Sequence, residues 1–279
     1  MAENDENGSN PTSAMPPEDA PDYGMATAAP ATIASRLTDW LNRTERDMSF
    51  RNVRPRDAAT LILIDRSEGT PKVLLGRRHA GHKFMPDKFV FPGGRVEPAD
   101  RGVPAAGELD PRVAARLMAE TQRPSLVKAR AFAIAAVRET FEETGLLLGR
   151  ADAGWPEGFA GDDPLWGPFA QARVLPDLST LQFIARAITP PRRPRRFDAR
   201  FFAVDAQAIA ARVDDVVSAD SELVELVWMP LDDAERLDIS PITKAVLAEL
   251  DHRIAGGFKP DLPVPFYRWL RGRFVRTEL

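Results

Sequence analysis

The chain has 279 residues, 44% of them hydrophobic and 28% charged, enough for the packed core of one large or two small domains. It has no cysteine, which excludes disulfides, thiolate metal sites and cysteine nucleophiles, and no run of 18 apolar residues, which argues against a membrane-spanning helix. Net charge is −4, but the first 35 residues hold six of the 41 acidic residues and none of the 37 basic ones, so the rest is near neutral and offers no basic footprint for duplex nucleic acid.

Residues 1–34 are rich in Pro, Ala, Asn, Asp and Glu and are expected to form a disordered acidic tail, since they cannot bury enough apolar surface to offset the cost of ordering. The acidic start, Met1 to Glu6, lacks the apolar segment of a secretory signal, and with the absence of Cys this makes a cytoplasmic location the expectation. Ser35 to Arg43 places Leu37, Trp40 and Leu41 at helical spacing, with Ser35 as a candidate cap. Ala58 to Asp65 reads as a buried strand, Ser67 to Pro71 as a turn, and Lys72 to Arg77 as a second strand completing a hairpin. A basic loop follows, in which His79 and His82 lack the third ligand a zinc site needs. Phe89 to Phe91 is a short third strand running into Pro92-Gly93-Gly94. Paired glycines allow positive φ and close approach of backbone to a ligand, although they also suit a plain hairpin turn.

Residues 101–127 lie between that loop and the longest helical pattern. Within them Asp110 and Pro111 open a helix predicted to Gln122, with Val113, Leu117 and Met118 on one face, as a substrate lid or a dimer contact. The main helix is predicted over Leu126 to Thr144 and ends at Gly145. In it Glu139, Glu142 and Glu143 stand at i, i+3 and i+4, so three carboxylates share one face. Like charges this close repel unless a cation sits among them, and oxygen ligands suit Mg²⁺, Ca²⁺ or Mn²⁺. Taken alone the pattern also suits a solvated acidic face.

Leu146 to Leu148 is an apolar strand or packing segment, and residues 150–170 an irregular loop leading to a short helix over Phe169 to Leu175. Strands are predicted over Leu181 to Ile188, Phe197 to Asp205 and Leu223 to Leu231, the last taken as the final core strand. Arg192, Arg193, Arg195 and Arg196 make a basic loop that suits either a phosphate clamp or solvated charge. Two helices, Asp232 to Leu237 and Ile242 to Ile254, follow, and residues 256–279 read as a partly ordered C-terminal extension.

The segments Phe91 to Glu97 and Arg138 to Gly145 together resemble the Nudix box: Gly94 opens the pattern, and Arg138-Glu139, Glu142-Glu143, Gly145 and Leu146 close it. There are three departures. Asp100 stands where the box has its first Glu, about thirty residues are inserted before Arg138, and Thr140 replaces a large apolar residue. The interrupted box is similar to that of the peroxisomal coenzyme A diphosphatase-like Nudix proteins, as are Thr189-Pro190-Pro191 and the run from Arg196 to Phe202. The C-terminal Thr277-Glu278-Leu279 is not the peroxisomal tripeptide.

The resemblance implies an α/β (α+β) Nudix fold over residues 35–255, a mixed sheet sandwiched between helices with a helical insertion inside the box. It implies hydrolysis of a nucleoside diphosphate derivative with Mg²⁺ or Mn²⁺ held by Glu139, Glu142 and Glu143. Arg138 would orient a carboxylate by pairing with Glu142, Glu142 and Glu143 would serve catalysis, and Glu222 is a candidate general base. Asp100 is expected to be structural. Gly93 and Gly94 would touch phosphate, and Arg77 or Arg78, in a segment partly resembling a coenzyme A motif, would hold a 3′-phosphate. The preferred substrate is coenzyme A or an acyl-coenzyme A. The alternatives are ADP-ribose or a nucleotide sugar and, in another class, a catalytically silent ligand-sensing module. The expected partner is a small-molecule diphosphate, with no membrane and no nucleic acid duplex, and a homodimer is compatible.

Overall fold

The structure, a computed structural model, describes residues 30–43, 49–82, 85–159, 163–234, 236–259 and 261–279. Most of the expected tail, residues 1–29, lies outside the described residues. Helix α1 (Pro30–Arg43) begins before Ser35, so residues 30–34 belong to a helix and not to the tail. Its Trp40 packs on the sheet, and Asn42 exchanges two hydrogen bonds with the backbone of Phe274, at 3.0 and 2.7 Å.

Strand β1 (Arg56–Asp65) is the axis of the domain. Its side chains alternate between faces: Leu61 and Leu63 enter one core, Ile62 and Ile64 the other. β2 (Lys72–Arg78) returns antiparallel, with Ile64 opposite Val73. β3 (Phe89–Val90) pairs with β2, and β4 (Gly93–Arg95) pairs with β1. Pro-Gly-Gly is therefore not a free hairpin turn. Neither glycine has positive φ, and both lie in strand geometry. The insertion forms a 3-10 turn over Pro98–Arg101 and helix α2 (Pro111–Met118), shorter than predicted, with Asp110 accepting the Arg112 N–H at 2.7 Å. Val103, Val113 and Leu117 are buried against the main helix, so the apolar face of the insertion is taken up by the domain's own core.

Helix α3 (Leu126–Thr144) matches its predicted span. Ser125 caps it, and Gly145, at φ +75°, ends it in the left-handed conformation that costs a glycine little. β5 (Leu146–Leu148), α4 (Gly167–Gln171), β6 (Gln182–Ile188) and β7 (Phe197–Asp205) follow. β8 (Ile209–Arg212), which has little sequence signal, pairs with β5 to make a small separate sheet. β9 (Leu223–Pro230), α5 (Leu231–Ala234) and α6 (Pro241–Ala255) come next.

Residues 256–279 are not an extension outside the fold. β10 (Pro265–Leu270) and β11 (Arg273–Glu278) form a hairpin that continues the main sheet beside β6 and buries Phe266, Tyr267 and Phe274. Their arginines obscured the strand signal. Arg276 turns inward to Glu249 at 3.0 Å instead of lying on the surface.

The main sheet runs β11-β10-β6-β7-β1-β2-β3, with β4 on β1 and β9 on β2. β1 and β7 are parallel while most other pairs are antiparallel, so the sheet is mixed. α3 covers one face and α6 the other. A buried ionic lattice fixes the insertion: Arg186 pairs with Asp198 at 2.8 Å and donates to the carbonyls of Ala119 and Glu120, while Arg200 pairs with Asp57 and Asp198 and stacks on Phe132. Among the described residues no helix is long and apolar enough to cross a membrane.

Candidate active site

The last two turns of α3 lie against β4, because β1 carries both: α3 packs on Ala59 and Leu61, and β4 pairs with Ala58 to Thr60. This brings Glu139 beside Gly94 and Glu143 beside Gly93. Glycine is required by space here. A Cβ at Gly93 would sit 2.6 Å from the Ala59 carbonyl oxygen and 2.7 Å from Thr60 Cα, and one at Gly94 would collide with the Glu139 carboxylate. The Gly93 N–H donates to Glu143 at 3.0 Å.

Arg138 is the hub. Its side chain is 5% exposed and uses all three guanidinium nitrogens. Nε binds Asp100 at 2.8 Å, Nη2 donates to the Arg95 carbonyl at 2.7 Å, and Nη1 reaches both Glu139 at 2.8 Å and Glu142 at 2.7 Å. The i, i+4 pair with Glu142 is the one predicted. Asp100, almost fully buried, also accepts the Glu97 N–H at 2.7 Å, so it ties the loop after β4 to the helix. Thr140, where the box pattern has a large apolar residue, is buried and satisfies its hydroxyl on the Ala136 carbonyl at 2.8 Å.

Glu222, next to β9 in sequence, is brought to the same region by a bulge. The β2–β9 register slips between Arg77 and Arg78, and the His79 N–H donates to the Glu222 carbonyl at 3.0 Å. Arg78, a buried side chain, forms an ion pair with the Glu222 carboxylate, and His82 Nε2 stands 3.5 Å from it. Arg77 instead pairs with Glu225 at 2.9 Å and, more loosely, with Asp87 at 3.6 Å. The two candidate phosphate-binding arginines thus each already have carboxylate partners. His82 was not among the sequence candidates. Only the bulge brings it to Glu222.

Electrostatics set these carboxyls apart from ordinary ones. Burial, partly countered by Arg138, pushes the Glu139 carboxyl up to about 7. Burial also raises Glu142, and burial followed by the Glu222 charge raises Glu143 well above the usual range. Burial works against the charge on Arg138, but Asp100, Glu139 and Glu142 outweigh it and hold the guanidinium protonated.

The donor set suits a hard divalent cation, since it offers only oxygens and its crowded negative charge is what such a cation relieves. In the arrangement described, Arg138 holds Glu139 and Glu142, and Gly93 holds Glu143. Among the described residues no three such side chains are already set out as a metal-binding group. Binding would require the two Arg138-bound carboxylates to turn.

No family model matches the chain. It is 30% identical over 189 residues to the "Putative nudix hydrolase 7" of Caenorhabditis elegans, covering 62% of this chain and 51% of that protein. It is 39% identical over 111 residues to the acyl-coenzyme A diphosphatase NUDT19 of Gallus gallus, covering 33% and 29%. The chain therefore spans about half, or less, of the curated relatives it matches. Among solved structures, the NUDIX hydrolase from Alicyclobacillus acidocaldarius superimposes with a TM-score of 0.51 at 27% identity, covering 73% of this chain and 96% of that one. With the box residues assembled around Arg138, the chain is similar in sequence to Nudix hydrolases and shares the fold of a solved member of that superfamily.

Proposed function

We propose that the chain hydrolyses the diphosphate linkage of a nucleoside diphosphate derivative, with coenzyme A or an acyl-coenzyme A as preferred substrate, yielding 3′,5′-ADP and a phosphopantetheine. The observation that carries this reading is the seating of Glu139 and Glu143 against Gly94 and Gly93, with Arg138 latching Glu139 and Glu142 together. Glu139, Glu142 and Glu143 would hold Mg²⁺ or Mn²⁺, which when bound neutralises phosphoryl charge and acidifies water. Gly93 and Gly94 leave room for phosphoryl oxygens close to the backbone. Arg138 positions carboxylates and does not touch substrate. Glu222, paired with Arg78 and near His82, would accept a proton from water, and its charge is part of what raises the Glu143 carboxyl.

The coenzyme A preference rests on the interrupted box and on the matched stretch of the acyl-coenzyme A diphosphatase. Arg77, the more exposed of the two arginines, would exchange its surface partners Glu225 and Asp87 for a phosphate. A panel of coenzyme A, an acyl-coenzyme A, ADP-ribose, NADH and a nucleotide sugar, each with Mg²⁺, tests the reading. Release of 3′,5′-ADP from coenzyme A is expected. AMP from ADP-ribose or NADH would move the substrate to another class, and no turnover at all would favour a ligand-sensing role. Glu142→Gln should lower turnover by about a hundredfold or more, because several kcal/mol of transition-state charge stabilisation would be lost. Unchanged turnover would remove Glu142 from the ligand set.

A further inference from the structure

The two ends of α3 are opposite in charge. The end at Gly145 carries the glutamates, and the start carries cations. A cavity of about 440 Å³ opens between the start of β1, the insertion and the first turn of α3. Arg54, Arg101, Arg123 and Lys128 line it, against a single carboxylate, Asp57. That carboxylate is already shared, 2.9 Å from Lys128 Nζ and 3.2 Å from Nη1 of Arg200 behind it. Arg54 donates to the neutral Gln122 amide at 2.8 Å and has no ion pair among the described residues. Arg101 and Arg123 have no ion-pair partner among the described residues.

Two further features deepen the positive potential. The first turn of α3 contains no acidic residue, so its N-terminal dipole is uncompensated. Arg196 binds Asn52 Oδ1 at 2.8 Å and the Val53 carbonyl at 2.7 Å, which holds the basic loop Arg192 to Arg196 beside the segment carrying Arg54.

We propose that this cavity is a second anion site, built for a phosphate monoester and separate from the glutamate cluster. Cations from three chain segments surround one space, as a dianion with several acceptor oxygens requires. Lys128 and Glu139 lie on one helix about 16 Å apart, so the same side chains cannot serve both sites. The phosphate has two possible sources: the distal phosphate of an extended substrate, or a separate phosphorylated metabolite. The first source rests on the proposed hydrolase reading; the second does not.

Calorimetric titration of the full chain with inorganic phosphate, in chloride buffer of fixed ionic strength, tests the site. Saturable binding is expected. The double variant Arg101→Glu, Arg123→Glu should weaken it about tenfold or more, while Glu142→Gln leaves it unchanged. Both substituted arginines are exposed, and an unchanged melting temperature would confirm that the variant folds. Absence of saturable binding to the wild type, or equal binding by the double variant, overturns the proposal. Hydrolysis of coenzyme A and of 3′-dephospho-coenzyme A identifies the source. A raised KM for coenzyme A alone in the double variant assigns the site to the substrate's 3′-phosphate in place of Arg77. Unchanged KM for both, with phosphate binding lost, assigns it to a separate ligand. If the wild type hydrolyses neither, the proposed activity fails while the calorimetry still decides the site.

Discussion

Asp100→Ala removes the carboxylate that anchors the hub of the site. Asp100 is 1% exposed and the Arg138 side chain 5%. The carboxylate accepts from Arg138 Nε at 2.8 Å, from Nη2 at 3.3 Å and from the Glu97 N–H at 2.7 Å. Removing one partner of a buried ion pair costs about 3–5 kcal/mol, because the remaining charge stays in a low-dielectric site. Arg138 keeps Glu139, Glu142 and the Arg95 carbonyl, which places the loss near the lower end, about 3 kcal/mol. For a domain of this size each kcal/mol shifts the melting temperature by about 2–4 °C, so a fall of about 6–12 °C is expected. Asp100→Asn retains an acceptor for Nε and should lose less. Thermal unfolding followed by circular dichroism, with a urea titration for ΔG, measures both. A shift within about 1 °C for Asp100→Ala would refute the idea that this pair ties the loop after β4 to α3. Turnover should fall as well, because a guanidinium without its Asp100 anchor holds Glu139 and Glu142 less firmly in position.

The two adjacent glycines should separate stability from activity. Gly93→Ala forces a methyl against the β1 backbone and should cost about 1–3 kcal/mol, seen as a lower melting temperature. Gly94→Ala meets first the end of the Glu139 side chain and not backbone, so melting should change less than for Gly93→Ala while Mg²⁺-dependent turnover collapses; equal melting losses in both variants would contradict this. In divalent-free buffer, stability should fall as pH rises from about 4.5 through about 7. In that window the folded state retains protons on its raised carboxyls that the unfolded chain has released. Calorimetric scans across that range check it: a rising profile refutes the sign, and Glu139→Gln should flatten the slope. Truncation before Pro265 deletes strands that bury Phe266, Tyr267 and Phe274, each worth about 1.5–3 kcal/mol, and should leave no cooperatively folded product. A soluble truncated chain with a sharp melting transition would show the hairpin to be dispensable.

The local patterns in the chain were enough to mark its principal elements. Short apolar runs marked β1 and β7, Ser125 and Gly145 bounded α3, and the i, i+3, i+4 spacing put Glu139, Glu142 and Glu143 on one face, because each of these signals acts within a few residues. The pair between Arg138 and Glu142 was legible for the same reason. Contacts between distant segments were not. Gly93 and Gly94 suggested a loop using positive φ, because only the pairing of β4 with β1 shows that space, and not φ, demands glycine there. The arginines of β10 and β11 hid a core hairpin, since Glu249 on a separate helix is what makes Arg276 tolerable inside. Neither the bulge that brings His82 and Arg78 to Glu222 nor the cavity shared by Arg54, Arg101, Arg123 and Lys128 follows from any local pattern. Charge pairing across a fold depends on three-dimensional distance and dielectric, and both are set only once the sheet has closed over its two cores.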